Sequence, residues 1–169
     1  YNVKRQTLSE RFKKWGYEIV NQQNRCRLNE KAFDSMTSEE QFYWLGFMYA
    51  DGNISHEGNR IEVRLSIKDK DHLEKFRKFL NLTTEIRTGV CDGNAFCHLS
   101  VRNKHMWNTL NNLGCTPRKT LTLQFPQLSL FKSRENIFHF IRGYVDGDGC
   151  LTTYLNSTKK SIRTELNLV

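Results

Sequence analysis

One segment occurs twice, and it constrains the fold more than anything else in the chain. Toward the start it runs Trp44, Leu45, Gly46, Phe47, Met48, Tyr49, Ala50, Asp51, Gly52; near the end it runs Ile141, Arg142, Gly143, Tyr144, Val145, Asp146, Gly147, Asp148, Gly149. Both copies fit glycine, aromatic, apolar, any residue, small, aspartate, glycine. Each is followed two residues later by an aliphatic side chain, Ile54 or Leu151. A repeated apolar stretch that ends in an acid and a glycine points to two similar units facing each other, with two carboxylates at one shared site.

Helical geometry makes that concrete. Gly46 and Ala50 lie four apart on one face, as do Gly143 and Gly147, and small residues at this spacing let two helices approach nearly backbone to backbone. Asp51 and Asp148 then emerge together from two helix C-termini, where partly negative carbonyl ends also gather. Such a set of hard oxygen donors suits Mg2+ better than zinc and suggests metal-assisted hydrolysis of phosphodiesters. The plainer reading, in which each Asp-Gly only ends a helix, accounts for one copy better than for two with matched glycines.

Local signals around the motifs predict the rest. A capping box with Thr37 as cap and Glu40 three residues on opens a helix that runs to about Ala50. His56 to Asn59 reads as a hairpin turn, and the return strand alternates Ile61, Val63, Leu65, Ile67 against Arg60, Glu62, Arg64, Ser66, Lys68. Asp71 and Glu74 cap a helix holding Leu73, Phe76, Phe79 and Leu80. Asp92-Gly93 turns a second hairpin with strands near 84–91 and 95–102, and a third helix spans about Asn103 to Leu113, ending at Gly114. The unit over 37–115 is thus helix, hairpin, helix, hairpin, helix.

After a connector over 116–132, Ser133 caps the second motif helix. In this second unit (133–169) Arg163, Thr164, Glu165, Leu166, Asn167, Leu168 align with Arg60 to Leu65, the intervening hairpin being six residues longer. Residues 1–36 form a basic helical segment and a mostly polar linker. Its helix, Gln6 to Trp15, carries Leu8, Phe12 and Trp15 on one face and stops at Gly16. The opposite, basic face is either a solvated surface or the remnant of a helix-turn-helix recognition helix.

A net charge of +8 with a pI near 9.4 favours a polyanionic partner, nucleic acid ahead of a membrane surface. No apolar run is long enough to span a membrane. The five cysteines are odd in number and lack paired spacing, which argues for reduced thiols in an intracellular protein and against a zinc site. His56, His72, His98, His105 and His139 form no recognised catalytic pattern.

These motifs resemble those of the LAGLIDADG homing endonucleases in their single-chain, two-motif form. Gly46, Ala50, Asp51, Gly52 and Gly143, Gly147, Asp148, Gly149 match the motif core. Gly114 to Lys119 (Gly-x-x-Pro-Arg-Lys) and Phe140 to Gly143 (Phe-Ile-Arg-Gly) match bacterial and phage members. The resemblance implies an α+β fold, a pseudo-two-fold pair of αββαββα half-domains whose sheets saddle a DNA major groove, the second half incomplete here. It implies a site-specific double-strand DNA endonuclease using Mg2+, with Mn2+ as the alternative, encoded by a bacterial, phage or organellar mobile element and acting in the cytoplasm. Asp51 and Asp148 become the metal-binding catalytic acids, with the carbonyls of Ala50 and Gly147 as secondary ligands and a metal-activated water as nucleophile. Arg60, Glu62, Arg64, Ser66, Lys68, Arg163, Glu165 and Asn167 are placed to meet DNA. Arg102 falls near the family's basic residue beside the metals, and Lys119 touches a phosphate or caps a helix. Tyr49 replaces the first acid of motif one, whereas Asp146 keeps it in motif two. A non-cleaving transcription regulator or RNA maturase on the same fold is the alternative, and a partner chain is expected to complete the second half-domain.

Overall fold

The computed structural model describes residues 5–17, 27–119, 122–156 and 161–168. Helix α1 (Arg5–Lys14) precedes a unit of α2 (Glu39–Ala50), β1 (Gly52–Ser55), β2 (Arg60–Ser66), α3 (Lys70–Phe79), β3 (Arg87–Cys91), β4 (Asn94–Arg102) and α4 (Lys104–Asn112). A second unit follows as α5 (Arg134–Asp148), β5 (Gly149–Asn156) and β6 (Ser161–Leu168). The first unit forms an antiparallel four-stranded sheet in the order β1-β2-β4-β3, and β5 pairs with β6 in a separate antiparallel ladder. The molecule is α+β, with helices covering one face of the first sheet.

Each boundary follows from local chemistry, and several differ from expectation. The cap of α2 is Ser38, one residue after Thr37, because Gln41 rather than Glu40 closes the box: its backbone N–H bonds the Ser38 hydroxyl at 3.2 Å and its side-chain oxygen accepts from the Ser38 N–H at 3.1 Å. Gln41 Nε2 also donates to the Ala32 carbonyl at 2.7 Å. The amide thereby ties the preceding segment to the helix, which an exposed Glu40 does not. Helix α3 begins two residues early, with Asp69 rather than Asp71 at the cap position. A short 3-10 turn over Ile67–Asp69 precedes it, removing Ile67 and Lys68 from the strand. The Ser133 cap falls where the sequence places it, and Asn103, expected as the first residue of the third helix, is its cap instead.

Helix α2 is buried at every position from Gln41 to Tyr49 except Tyr43, which marks it as a central element rather than an amphipathic surface helix. Phe42, Leu45, Met48, Ile61, Val63, Leu73, Phe76, Leu99, Met106 and Leu110 form the core between sheet and helices. Ala32, Phe33 and Met36 join it, so the end of the polar linker is core-forming after all. Conversely, Phe12 and Trp15 of α1 are 42% and 64% exposed, and Phe12 packs edge-on only against Trp15 and Tyr17 among the described aromatic rings.

In the second unit the ladder pairs Gly149 with Leu168, whereas the first pairs Gly52 with Val63. Leu168, not Leu166, is therefore the counterpart of Val63, and the second hairpin is eight residues longer rather than six. The slip is even, so it leaves residue faces unchanged: Glu165 takes the place of Arg60, Asn167 that of Glu62, and Arg163 lies further out, opposite Tyr154.

Candidate active site

The two motif helices meet at their glycines. A Cβ on Gly46 would stand 1.9 Å from the carbonyl oxygen of Phe140, and one on Gly143 would stand 1.9 Å from that of Tyr43. The same imagined atoms would meet the amides of Tyr144 and Phe47. Each contact becomes the other when every residue is exchanged for its motif counterpart, which is the signature of an isologous, two-fold packing. One turn later a Cβ on Gly147 would lie 2.4 Å from the Cβ of Ala50 and 3.1 Å from the Asp51 carboxylate. At this level the seam has room for one methyl, and Ala50 supplies it.

The acids emerge where that seam ends. Asp51 caps the C-terminus of α2, its N–H bonded to Phe47 O at 3.0 Å, and Asp148 is the last residue of α5. Burial raises the Asp51 pKa from its ordinary value, and the Asp148 carboxylate raises it further, while the Lys119 ammonium opposes both. Asp69 adds a smaller repulsion from the start of α3. Burial and the nearby Asp148 likewise push the Tyr144 phenol up.

Lys119 reaches into this site from the connector. Its ammonium donates to the carbonyls of Tyr49 and Ala50, so it caps the freed end of α2 while facing both acids. Burial draws its pKa down, countered by Cys115, Asp148 and Asp51. Arg102 has no such position. It pairs with Arg60 at the far end of the β2-β4 ladder and lies against the turn at Gly58. Lys119, rather than Arg102, is the basic residue beside the acids.

Tyr49 and Asp146 occupy equivalent motif positions in unlike surroundings. Tyr49 is 2% exposed and donates to the Leu113 carbonyl at 2.5 Å. Gly114, at φ +101°, leaves room for its hydroxyl where a Cβ would come within 2.0 Å. Asp146 is exposed and accepts from the Tyr43 hydroxyl at 2.6 Å, which also lies 3.2 Å from His72 Nε2. Burial lowers the His72 pKa despite the pull of Asp146.

The strand register brings a polar face to the acid pair. Asn53, Arg60, Glu62, Arg64, Ser66, Phe96, His98, Ser100, Arg102 and Arg87 share one side of the sheet, opposite the core-facing Ile61, Val63, Cys97 and Leu99. Asp51, Asn53, Glu62, Arg64, Phe96 and His98 line one hollow of about 430 Å³. The sequence had already assigned Arg60, Glu62, Arg64 and Ser66 to this face. Asn53, Arg87, Phe96, His98 and Ser100 were missed, although the alternation of the second hairpin carries the signal once its register to β2 is known. Lys68 lies in the 3-10 turn instead, its N–H directed at Ser66 Oγ. Arg163, Glu165 and Asn167 lie at alternate positions of β6.

Two carboxylates whose mutual repulsion is only partly offset by Lys119 fit a hard divalent cation, but the Ala50 carbonyl, expected as a secondary ligand, is taken by the Lys119 ammonium. Among the described residues no three His, Cys, Asp or Glu side chains group as a metal site, so backbone or substrate oxygens would complete the shell.

No family model matches the chain. A probable phosphoenolpyruvate synthase of Methanocaldococcus jannaschii is 28% identical over 129 residues, 73% of this chain but 10% of that protein, so the chain spans a tenth of this relative's length. Among solved structures, the LAGLIDADG homing endonuclease I-GzeII in complex with its DNA target is 16% identical, with a TM-score of 0.46 over 75% of this chain and 65% of that one. I-LtrWI bound to target DNA is 14% identical, with a TM-score of 0.45 over 82% of this chain and 66% of that one. I-SmaMI, bound to uncleaved DNA with calcium present, is 12% identical, with a TM-score of 0.44 over 77% and 66%. Among the described residues no helix is long and apolar enough to cross a membrane.

Proposed function

We propose that this chain is a double-strand DNA endonuclease that hydrolyses phosphodiesters with divalent metal ions held between Asp51 and Asp148. The observation that carries the reading is the reciprocal glycine packing of α2 and α5, which brings two carboxylates to one point at the edge of an arginine-rich sheet face. A structural helix pair has no use for facing carboxylates that repel each other and raise the pKa of one. A site that receives a dication has, because the cation relieves that repulsion.

In this reading Asp51 and Asp148 hold the metal, which when bound supplies Lewis-acid stabilisation of charge on the phosphoryl oxygens. Lys119 contributes a fixed positive charge at the end of α2, placed to stabilise negative charge that develops near Asp51. The arginines of the sheet neutralise phosphates and orient the duplex. Each acid serves one strand, so the break is staggered.

The test is cleavage of a randomised plasmid target library in Mg2+. Asp51→Asn and Asp148→Asn are each expected to lower cutting by at least about a hundredfold while gel-shift affinity for DNA survives. Undiminished cutting by both variants would overturn the site assignment, and DNA binding without cleavage by the unaltered chain would favour the non-cleaving regulator.

A further inference from the structure

The motif helices meet along two flanks that the two-fold relates, and the flanks are built from different chemistry. Tyr49 and Phe140 form one of them, both buried, with ring centroids 5.0 Å apart in an edge-to-face arrangement. Exchanging each residue for its motif counterpart turns that pair into Asp146 and Tyr43. On this second flank the contact is a hydrogen bond, the Tyr43 hydroxyl donating to Asp146 Oδ2 at 2.6 Å. An acid at position 49 would face the ring of Phe140, which has no hydroxyl to offer, and would be buried unpaired. The acid stands on the flank where a tyrosine faces it.

The second flank continues into α3. His72 Nε2 lies 3.2 Å from the Tyr43 hydroxyl, and its ring packs against Tyr43, Trp44 and Phe47 at centroid distances of 6.0, 5.1 and 4.8 Å. Tyr43 has one hydroxyl proton and Asp146 takes it, so His72 Nε2 carries a hydrogen and donates to the tyrosyl oxygen. The result is a directed chain from α3 through α2 to the last turn of α5. Asp69, at the start of α3, acts electrostatically on both Asp51 and His72. The chain therefore begins near the first acid and ends two residues before the second. Glu39 also reaches α5, at 3.6 Å from His139 and from Arg142, but Glu39 and Arg142 are 64% and 53% exposed, so water screens that pair.

We propose that His72 and Tyr43 are positioning residues for the second acid: acting through Asp146, they clasp the last turn of α5 to the first unit and hold Asp148 opposite Asp51. The inference rests on the metal-site reading above and extends it from the two acids to the groups that set their separation. Glycine packing brings the helices close, but van der Waals contact has no direction, whereas a hydrogen bond to a carboxylate fixes both distance and angle. One dication shared by two carboxylates needs that control, because its oxygen ligands stand only about 2.0–2.6 Å away.

The experiment titrates the full chain with Mg2+ and reads apparent affinity from the rise in melting temperature. The unaltered protein is compared with Tyr43→Phe, His72→Phe, His72→Gln and the double variant Tyr43→Phe/His72→Phe, each checked for folding by circular dichroism. Phenylalanine keeps a ring at either position and removes the hydrogen bond, and glutamine at 72 keeps a donor. Tyr43→Phe is expected to weaken Mg2+ about tenfold and His72→Phe about threefold. His72→Gln should recover most of the latter loss, and the double variant should be no weaker than Tyr43→Phe, because His72 acts through the tyrosyl oxygen. A second readout needs no metal: the Gly149 amide, bonded to Val145 O in the last turn, should exchange its hydrogen about tenfold faster in Tyr43→Phe. Unchanged Mg2+ affinity in Tyr43→Phe overturns the proposal, as does unchanged Gly149 exchange. Losses that add in the double variant, or no recovery in His72→Gln, overturn the part assigned to His72. Absence of any Mg2+ response in the unaltered chain overturns the metal-site reading, a distinct outcome, and Gly149 exchange then decides the clasp by itself.

Discussion

Asp51 shows how a residue costly to the fold can be suited to the chemistry proposed for it. Its pKa is raised by burial and by Asp148, so the folded state holds its proton more tightly than the unfolded chain does. Stability therefore falls as pH rises from the unfolded carboxylate range, about 4, through the folded pKa. Asp51→Asn, which cannot ionise, is expected to raise the melting temperature at pH 7. The gain should shrink toward zero as the pH is lowered below about 4. A melting temperature unchanged or lowered at pH 7 would show that the carboxylate is not under electrostatic strain. Tyr49 is the complementary case: its hydroxyl satisfies the Leu113 carbonyl in the core, a service that an ionised acid, having no proton to donate, could not perform.

At the scale of the element, the α2-α5 seam depends on the absence of two side chains. Because Gly46 and Gly143 each face a backbone carbonyl rather than a flexible side-chain tip, a methyl at either position has nothing soft to displace. Gly143→Ala should cost about 1–3 kcal/mol or more in urea unfolding. Gly93, whose Cβ would meet nothing within 4 Å, tests local strain instead through its φ of +78°. Gly93→Ala should therefore be limited to the smaller penalty of a left-handed residue, about 1–2 kcal/mol. A cost near zero for Gly143→Ala would mean that the helices are less closely packed than described.

For the whole molecule, the metal site proposed at the two acids would couple cation binding to the docking of the two units. A dication bound to both carboxylates stabilises only the state in which α2 and α5 are packed, so Mg2+ or Mn2+ should raise the melting temperature progressively with concentration. Chelator should reverse the rise, and Asp51→Asn should abolish most of it. An equal rise in that variant would place the cation elsewhere. This readout is independent of cleavage, and it reports on the same pair of residues that the glycine seam brings together.

The sequence by itself determined the elements that local chemistry dictates: the motif helices from their glycine spacing, the Ser133 cap, and the β2 alternation that puts Arg60, Glu62 and Arg64 opposite Ile61 and Val63. It also paired Asp51 with Asp148, because only two facing helices make use of matched small residues. The tertiary structure decided what depends on distant partners. Lys119 lies some seventy positions from the Ala50 carbonyl it caps, and no periodicity records that contact. Phe33 and Met36 sit in a segment with polar character yet enter the core, since Gln41 ties that segment to α2 through Ala32. The β6 register was read two residues out, because apolar alternation repeats every two residues and cannot distinguish Leu166 from Leu168. Glu62 and Arg64 look alike as charged residues in a strand, and they part ways only when β1 and β4 bring Asn53 and His98 to one and Phe96 to the other.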